Sequence, residues 1–258
     1  MTKRMPALFI GHGSPMNAIE DNSFSRAWSA LGAKLTEPKA ILSVSAHWFT
    51  RGTKVNDSPK PGMIYDMYGF PEELYQLNYP APGSPELAYR VRSLVGDSVS
   101  IDNNWGLDHG TWSVLHRVFP QANIPVVQLS VNAMLTPAEH YAIGQTLRPL
   151  RDEGVLIFGS GNVVHNLSRV DWRMNDGQPW AQEFDQWIHQ AIETGDHDPV
   201  IHYDRAGEAA QLSVPSMDHF APLLYVLGAS DADDAITTVN AECTLGSMSM
   251  TSYLFTSK

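Results

Sequence analysis

The chain of 258 residues contains a single cysteine, Cys243, and carries little positive charge. One cysteine cannot form a disulfide within the chain, and it cannot build a cysteine-rich metal site. Any metal ion must therefore be held by histidines and carboxylates. The 17 lysines and arginines stand against 28 aspartates and glutamates, for a net charge of −11. Such a balance argues against partners such as nucleic acid or an anionic membrane surface.

Long apolar runs are absent as well. No run reaches the ~18 residues that a membrane-spanning helix needs. The apolar run nearest the N-terminus, 7–11, is shorter than the apolar core of a signal peptide and stops at Gly11 and His12. We therefore expect a cytoplasmic protein. Hydrophobic residues make up 43% of the chain and no linker-like stretch interrupts it, which predicts one folded domain over residues 1–258.

Several well-known motifs are also missing. The glycine-rich segment at 159–162 reads G-S-G-N, which is neither the G-x-G-x-x-G of a dinucleotide site nor the G-x-S-x-G of a serine hydrolase. No H-E-x-x-H pair is present, which excludes the zinc-protease helix.

Short apolar runs alternate with helical patterns along most of the chain. This alternation predicts an α/β fold with a central, mostly parallel mixed sheet flanked by helices. The predicted strands are 7–11, 40–46, 125–131 and 155–159. The predicted helices begin at Asp21 or Asn22, Ser84, Thr136, Trp180 and Asp218, and end near Leu35, Leu94, Arg151, Ile192 and Leu227. The segments 236–245 and 248–255, separated by Gly246 and Ser247, predict a C-terminal antiparallel hairpin at a sheet edge.

Histidines recur where apolar runs or glycine-rich turns give way to loops. They are His12, His47, His165 and His219, with His109 as a fifth in a turn-like segment. Ligands of open α/β sheets bind outside the carboxyl ends of the strands, so loops distant in sequence can bring these imidazoles together. Imidazole is the commonest metal ligand and titrates near pH 7. The pattern predicts a metal site with a histidine acid or base.

The five histidines differ in how strongly the sequence points to a role. His47 closes a buried strand, where a polar group is costly without a partner. The glycine-rich turn before His165 is interpreted as placing that side chain. His219 at a helix start would be held neutral by the helix dipole, as a metal ligand must be. His12 fits a hydrogen-bonded histidine in a turn as well as it fits a metal ligand. Asp108, just before His109, either orients the His109 ring or is a solvated turn residue.

Taken together, the segments that carry these histidines resemble the type III extradiol ring-cleavage dioxygenases, most nearly their DOPA-type branch. They are GHGSPMNA, SAHW, LDHGTW, GSGNVVHNL and DHFAPLLYVLG, in the family's order, with YDMYGFPEELYQLNYPAPG as a further similar segment. The resemblance implies insertion of both atoms of O₂ into a catechol ring beside its two hydroxyls. For a DOPA-type enzyme the substrate would be L-DOPA and the product a semialdehyde of the 4,5-seco-DOPA type.

The resemblance also implies roles for individual residues. His12, His47 and His219 match the metal-site residues. His165 matches a histidine that acts as base beside the metal, or binds it directly in the DOPA-type branch. His109 matches a second pocket histidine near the substrate. The third ligand is a histidine rather than a carboxylate, so the ion is either Fe²⁺ or Zn²⁺. Tyr65-Asp66 stands where relatives often have His-Asp, a change that bears on substrate recognition.

Two other functions remain open at this point. Three histidines and a water on zinc would suit a zinc-dependent hydrolase. A non-enzymatic member of the fold that binds a metal or a partner protein is the second alternative. The expected partners are a small catechol and O₂, and the sequence leaves the oligomeric state open, a homo-oligomer included.

Overall fold

The computed structural model describes residues 4–258 and contains one eight-stranded mixed sheet. The strand order is β4-β3-β5-β2-β6-β1-β10-β7, with β5, β2, β6 and β1 mutually parallel at its centre. Strands β10 and β7 add antiparallel to β1 at one side, and β3 lies antiparallel to β5 at the other. The predicted α/β fold with a mostly parallel mixed sheet is confirmed.

The elements have the following bounds. The strands are β1 (Ala7–Gly11), β2 (Ala40–Thr50), β3 (Lys54–Val55), β4 (Ser100–Ile101), β5 (Val126–Asn132), β6 (Val155–Gly161), β7 (Ala235–Val239), β8 (Cys243–Thr244), β9 (Met248–Ser249) and β10 (Ser252–Thr256). The helices are α1 (Ser23–Gly32), α2 (Glu72–Gln76), α3 (Pro85–Val95), α4 (His109–Val118), α5 (Pro137–Leu147), α6 (Pro149–Asp152), α7 (Pro179–Glu193), α8 (Asp198–Ile201), α9 (Glu208–Ser213) and α10 (Ala221–Ala229).

The central strands are buried on both faces, which explains their continuous apolar runs. Along β1, Ala7 and Phe9 pack into one hydrophobic core, whereas Leu8 and Ile10 pack into the other. Helices α3, α5, α7 and α10 cover the first face, and α1 and α4 cover the second. Because successive side chains of a strand point to opposite faces, the central strands are mostly apolar rather than alternating, with a few buried polar residues such as Gln128.

Three helix starts follow from the predicted caps. The side chains of Asn22, Ser84 and Thr136 each accept a hydrogen bond from a backbone N–H in the first turn of the helix that follows. The predicted helix from Thr136 to about Arg151 is divided in the structure, since α5 ends at Leu147 and α6 begins at Pro149. Proline lacks the N–H that would continue the α-helical ladder.

Two local predictions need correction. Asp218 does not cap a helix: α10 begins only at Ala221, and the Asp218 carboxylate instead contacts the His219 ring. The C-terminal hairpin is present, with β7 and β10 paired at the sheet edge. Gly246 and Ser247 do not form its turn: they lie between β8 and β9, a separate two-stranded ribbon within the segment that connects β7 to β10.

Among residues 4–258, no helix combines the length and apolar character needed to cross a membrane.

Candidate metal centre

All five histidines singled out in the sequence meet at the carboxyl ends of the central strands. His12 follows β1 directly, His47 lies near the end of β2, and His165 comes four residues after β6. The rings of His12, His47 and His219 form a nearly equilateral triangle, with centroid separations of 5.1, 5.3 and 5.1 Å. The parallel strands thus bring together residues more than 200 positions apart.

His47 is presented by an irregularity of β2. Ser45 pairs with Ser130 of β5, and the next paired residue of β2 is Phe49, opposite Val131. Three residues of β2, 46–48, therefore have no counterpart on β5. A bulge of this kind bends the strand and redirects a side chain, which here is His47.

His109 reaches the site as the first residue of α4. The helix packs very closely against β2, because a Cβ atom on Gly110 would lie 2.6 Å from Ser45 Oγ and 2.9 Å from His47 Cδ2. Only glycine permits this approach. The His109 ring centroid is consequently 3.8 Å from that of His47.

His219 is admitted to the site by Gly161 at the end of β6. The Asn162 N–H donates to the His219 carbonyl at 2.9 Å, and a Cβ atom on Gly161 would lie 2.1 Å from that same oxygen. The sequence indicates only that this glycine-rich turn places His165. In the structure, the absence of a side chain at Gly161 also lets the backbone of His219 pack against the end of β6.

Three of the imidazoles are oriented through Nδ1. His47 Nδ1 lies 3.0 Å from Asp66 Oδ2, and His219 Nδ1 lies 2.8 Å from Asp218 Oδ2. His12 Nδ1 lies 3.0 Å from Ser160 Oγ. The Ser160 hydroxyl donates its only proton to the Gly110 carbonyl at 2.5 Å, so it must accept from His12. In its neutral form, each of these rings therefore carries its proton on Nδ1 and a lone pair on Nε2.

These lone pairs make the site fit a divalent cation. The Nε2 atoms of His12 and His47 face each other at 3.2 Å. Two neutral rings with their lone pairs opposed repel each other unless a cation lies between them. Two nitrogens bound to one zinc ion at tetrahedral angles would be about 3.3 Å apart, given bonds of about 2.0–2.1 Å. His219 Nε2 is buried and has no hydrogen-bond partner within the described part of the chain.

A second group of three overlaps the first. Nitrogens of His12, His47 and His109 all lie within 4.8 Å of one another. His109 Nδ1 is 3.1 Å from Asp66 Oδ1, but it makes no hydrogen bond of acceptable geometry to any residue between 4 and 258. The His109 ring centroid lies 5.7 Å from that of His12 and 3.8 Å from that of His47, against 5.3 and 5.1 Å for His219.

His165 differs from the other four. Its ring stacks on that of His219, with centroids 3.4 Å apart and planes inclined by 4°. Like His47 it is half-buried, whereas His12, His109 and His219 are buried.

Burial dominates the electrostatics of the cluster. It lowers the pKa of His12 and His165 strongly and those of His109 and His219 less, with the neighbouring imidazoles adding to the effect. Burial opposes protonation of His47 too, but the hydrogen bond to Asp66 and nearby carboxylates raise its pKa overall.

The carboxylates are held in their charged form. Burial acts to raise the pKa of Asp66 and Asp218, but their contacts with histidines hold both pKa values well below the usual range. Carboxylates that orient metal-binding imidazoles commonly make this contact with the ring nitrogen that faces away from the metal.

Sequence reasoning missed the orienting role of Asp66 and of Ser160. Asp66 enters the sequence argument only as part of a departure from a family pattern, and nothing in its segment indicates that it contacts His47. Asp108 does not orient His109. It is buried, caps α4 through the Thr111 N–H, and accepts hydrogen bonds from Ser45, Trp105 and Gln128.

Comparisons with known proteins show the family of this chain. The family described as the catalytic LigB subunit of aromatic ring-opening dioxygenase matches residues 6–256. A 4,5-DOPA dioxygenase extradiol of Escherichia coli K12 is 46% identical over 255 residues, which are 96% of this chain and 94% of the relative. The protein of the same name from Beta vulgaris is 42% identical, covering 96% of each chain.

A solved structure has the same fold. The crystal structure of an uncharacterized protein from Escherichia coli K12 superposes with a TM-score of 0.82 at 43% sequence identity, covering 97% of this chain and 99% of the other. With the family match spanning almost the whole sequence, the chain belongs to the LigB family of extradiol aromatic-ring-opening dioxygenases, which are metal-dependent oxidoreductases.

Proposed function

We propose that this protein cleaves a small catechol such as L-DOPA with O₂, giving a semialdehyde of the 4,5-seco-DOPA type. The names of the relatives from Escherichia coli and Beta vulgaris support this substrate. The observation that carries the proposal is the triangle of His12, His47 and His219, in which Nδ1 of each ring is held by an acceptor. All five histidines meet at the carboxyl ends of the strands of one sheet, which supports a single catalytic domain over residues 1–258.

His12, His47 and His219 would hold the metal through their Nε2 atoms. Both His219 Nε2 and His109 Nδ1 are buried without a hydrogen bond among residues 4–258. We favour the set with His219 because Asp218 fixes its Nδ1 and leaves Nε2 for the ion, whereas the His109 Nδ1 lies beside the Asp66 carboxylate. The bound Fe²⁺ would supply the redox chemistry that couples the catechol to O₂, which Zn²⁺ lacks. Zn²⁺ remains the alternative resident ion, since a set of three imidazoles suits it well.

His165 is suited to act as the base. Its imidazole makes no hydrogen bond within residues 4–258, so a ring nitrogen is free to take a proton from a catechol hydroxyl. Burial and the stacked His219 ring lower its pKa, which keeps the neutral, proton-accepting form populated. The same nitrogen can return the proton to the ring-opened product. A general base of this kind contributes typically ~10²–10⁴-fold in rate.

His109 is assigned to the substrate side of the site. Its Nδ1 lies near Asp66 and its ring flanks that of His47, so it can orient a catechol oxygen or donate a proton to it. The aromatic segment 65–79 passes beside this histidine, with Tyr65 packed 5.6 Å from the Trp112 ring. This segment would cover the catechol and exclude water.

The proposal is tested by oxygen uptake. Protein freed of metal is loaded anaerobically with Fe²⁺ or with Zn²⁺ and mixed with L-DOPA and simple catechols in air-saturated buffer. The Fe²⁺ form is expected to consume one O₂ per catechol and to form a yellow product. The Zn²⁺ form is expected to bind catechol without consuming O₂.

Two outcomes would contradict the proposal. Catechol-independent ester or amide hydrolysis by the Zn²⁺ form, without O₂ uptake by the Fe²⁺ form, would favour the zinc hydrolase. The absence of both activities in protein with full metal content would favour the non-enzymatic alternative.

A cytoplasmic location stays a sequence-based prediction, which fractionation of the producing cells would check.

A further inference from the structure

One carboxylate contacts two different imidazoles of the site. Asp66 Oδ2 lies 3.0 Å from His47 Nδ1, and its Oδ1 lies 3.1 Å from His109 Nδ1. Oδ1 also accepts the backbone N–H of His109 at 2.9 Å. The other oriented histidines have acceptors of their own, Ser160 for His12 and Asp218 for His219.

The segment that carries Asp66 is held by α4, by the residues just before α4 and by its own later part. The Ile64 N–H donates to the Leu107 carbonyl at 2.7 Å, and Trp112 Nε1 donates to the Ile64 carbonyl at 3.0 Å. The Tyr65 hydroxyl donates to the Leu77 carbonyl at 2.6 Å. Asp66 therefore follows a firmly held stretch of chain, and its side chain is only 13% exposed.

We propose that Asp66 is a positioning residue that locks His47 and His109 into one fixed relative orientation. A single carboxylate then governs both the metal affinity of the site and the pose of the imidazole on the substrate side. The part of this inference that concerns His109 rests on the proposed function, whereas the part that concerns His47 does not.

The chemistry requires a carboxylate at this position. An ionised carboxylate accepts hydrogen bonds at both oxygens, whereas an amide accepts at one atom and donates at the other. An asparagine whose amide oxygen keeps the backbone N–H of His109 would turn its NH₂ group toward the Nδ1–H of His47. His47 must then turn or change its tautomer, and a changed tautomer removes its Nε2 lone pair from the metal site. In the reverse orientation the NH₂ group faces the backbone N–H of His109, and the His109 ring loses its carboxylate contact.

The test uses the Zn²⁺-loaded protein, which is diamagnetic, and the variants Asp66→Asn and Asp66→Glu. Zinc affinity is measured by competition with a chelator, and the tautomers of His47 and His109 are read from the ¹⁵N resonances of their rings. Asp66→Asn is expected to weaken zinc binding about 10–100-fold and to move both sets of ring resonances. Asp66→Glu keeps both acceptors and is expected to lie between Asp66→Asn and the wild type.

The kinetic readout separates positioning from a merely structural role. With saturating Fe²⁺, Asp66→Asn should lower kcat more than it raises KM for the catechol, because the misplaced His109 acts in the transition state. In a His109→Ala background, the same change should lower kcat much less, since coupled residues are not additive. Asp57→Asn is the matched control, because the Asp57 carboxylate accepts from Asn103 and the introduced amide oxygen can accept the same hydrogen bond.

The outcomes are distinguishable. Wild-type zinc affinity and unmoved ring resonances in Asp66→Asn would overturn the inference, whatever the activity. If Asp66→Asn fails to fold, Asp66→Glu decides, and values of zinc affinity, kcat and KM equal to those of the wild type would overturn it. Weakened zinc binding in a protein that cleaves no catechol would refute the proposed function and leave the positioning of His47 standing.

Discussion

The imidazoles of His165 and His219 lie face to face, with their centroids 3.4 Å apart and their planes inclined by only 4°. An imidazole binds a metal through a lone pair in the plane of its ring. Two parallel planes share no line, so one ion cannot lie in both. Only one of the two can therefore be a ligand. The Asp218 contact at Nδ1 and the buried, unpartnered Nε2 of His219 among residues 4–258 favour His219, which leaves His165 as the base.

His165→Ala should therefore separate the two roles. We expect the variant to keep its full metal content and to lose about 10²–10⁴-fold in kcat, which is the contribution of a general base. The measurement is metal analysis beside steady-state kinetics on the Fe²⁺-loaded enzyme. Metal content that falls in parallel with kcat would instead make His165 a ligand.

His219→Ala and His109→Ala should differ in the same assay. Removing His219 deletes a lone pair that has no other use among residues 4–258, so metal content is expected to fall markedly after dialysis. Removing His109 should leave metal content intact and lower kcat with little change in KM. A protein that loses its metal with His109→Ala and keeps it with His219→Ala would identify His12, His47 and His109 as the ligand set.

Gly161→Ala should destabilise the protein and displace His219 from the metal site. The added methyl group would lie 2.1 Å from the His219 carbonyl oxygen, so either β6 or the His219 backbone must move. Overpacking of this kind costs about 1–3 kcal/mol in the free energy of unfolding. We also expect weaker metal binding, since His219 is displaced. Gly62→Ala, where the methyl group would meet open space, is the control, and denaturant titration with metal analysis checks both variants.

A buried histidine outside the site should make the fold sensitive to acid. His140 is fully buried against the Tyr225 hydroxyl, and burial lowers its pKa to about 4 from 6.5. Between pH 6.5 and about 4, His140 is therefore protonated in the unfolded chain but neutral in the folded chain. Stability is expected to fall as the pH drops from about 6.5 to about 4, by ~3 kcal/mol from this residue at full effect.

His140→Gln isolates this contribution. Its free energy of unfolding should fall less steeply than that of the wild type over the same pH range, in denaturant titrations of metal-free protein. Tyr225→Phe keeps the buried imidazole and should keep the wild-type slope. If the free energy of unfolding depends on pH identically in His140→Gln and in the wild type, His140 does not contribute to the loss of stability in acid.

The sequence determined the fold class and the set of chemical groups. Apolar runs such as 7–11 and 155–159 become central strands because both of their faces are buried, and this is a local property of composition. The caps at Ser84 and Thr136 could be predicted equally well, since a helix start depends on side chains within one turn. The five histidines could be selected because each borders a predicted strand, helix or turn.

Only the tertiary structure decided how those groups are arranged. The β2 bulge at His47 depends on pairing with β5, and the approach of His219 depends on a glycine 58 positions earlier in the chain. Asp66 lies 19 positions after His47 and 43 before His109, in a segment whose local pattern gives no sign of either contact. Hydrogen bonds between residues distant in sequence follow from how the layers pack, so the tautomers and the shared carboxylate could not be predicted from local sequence patterns.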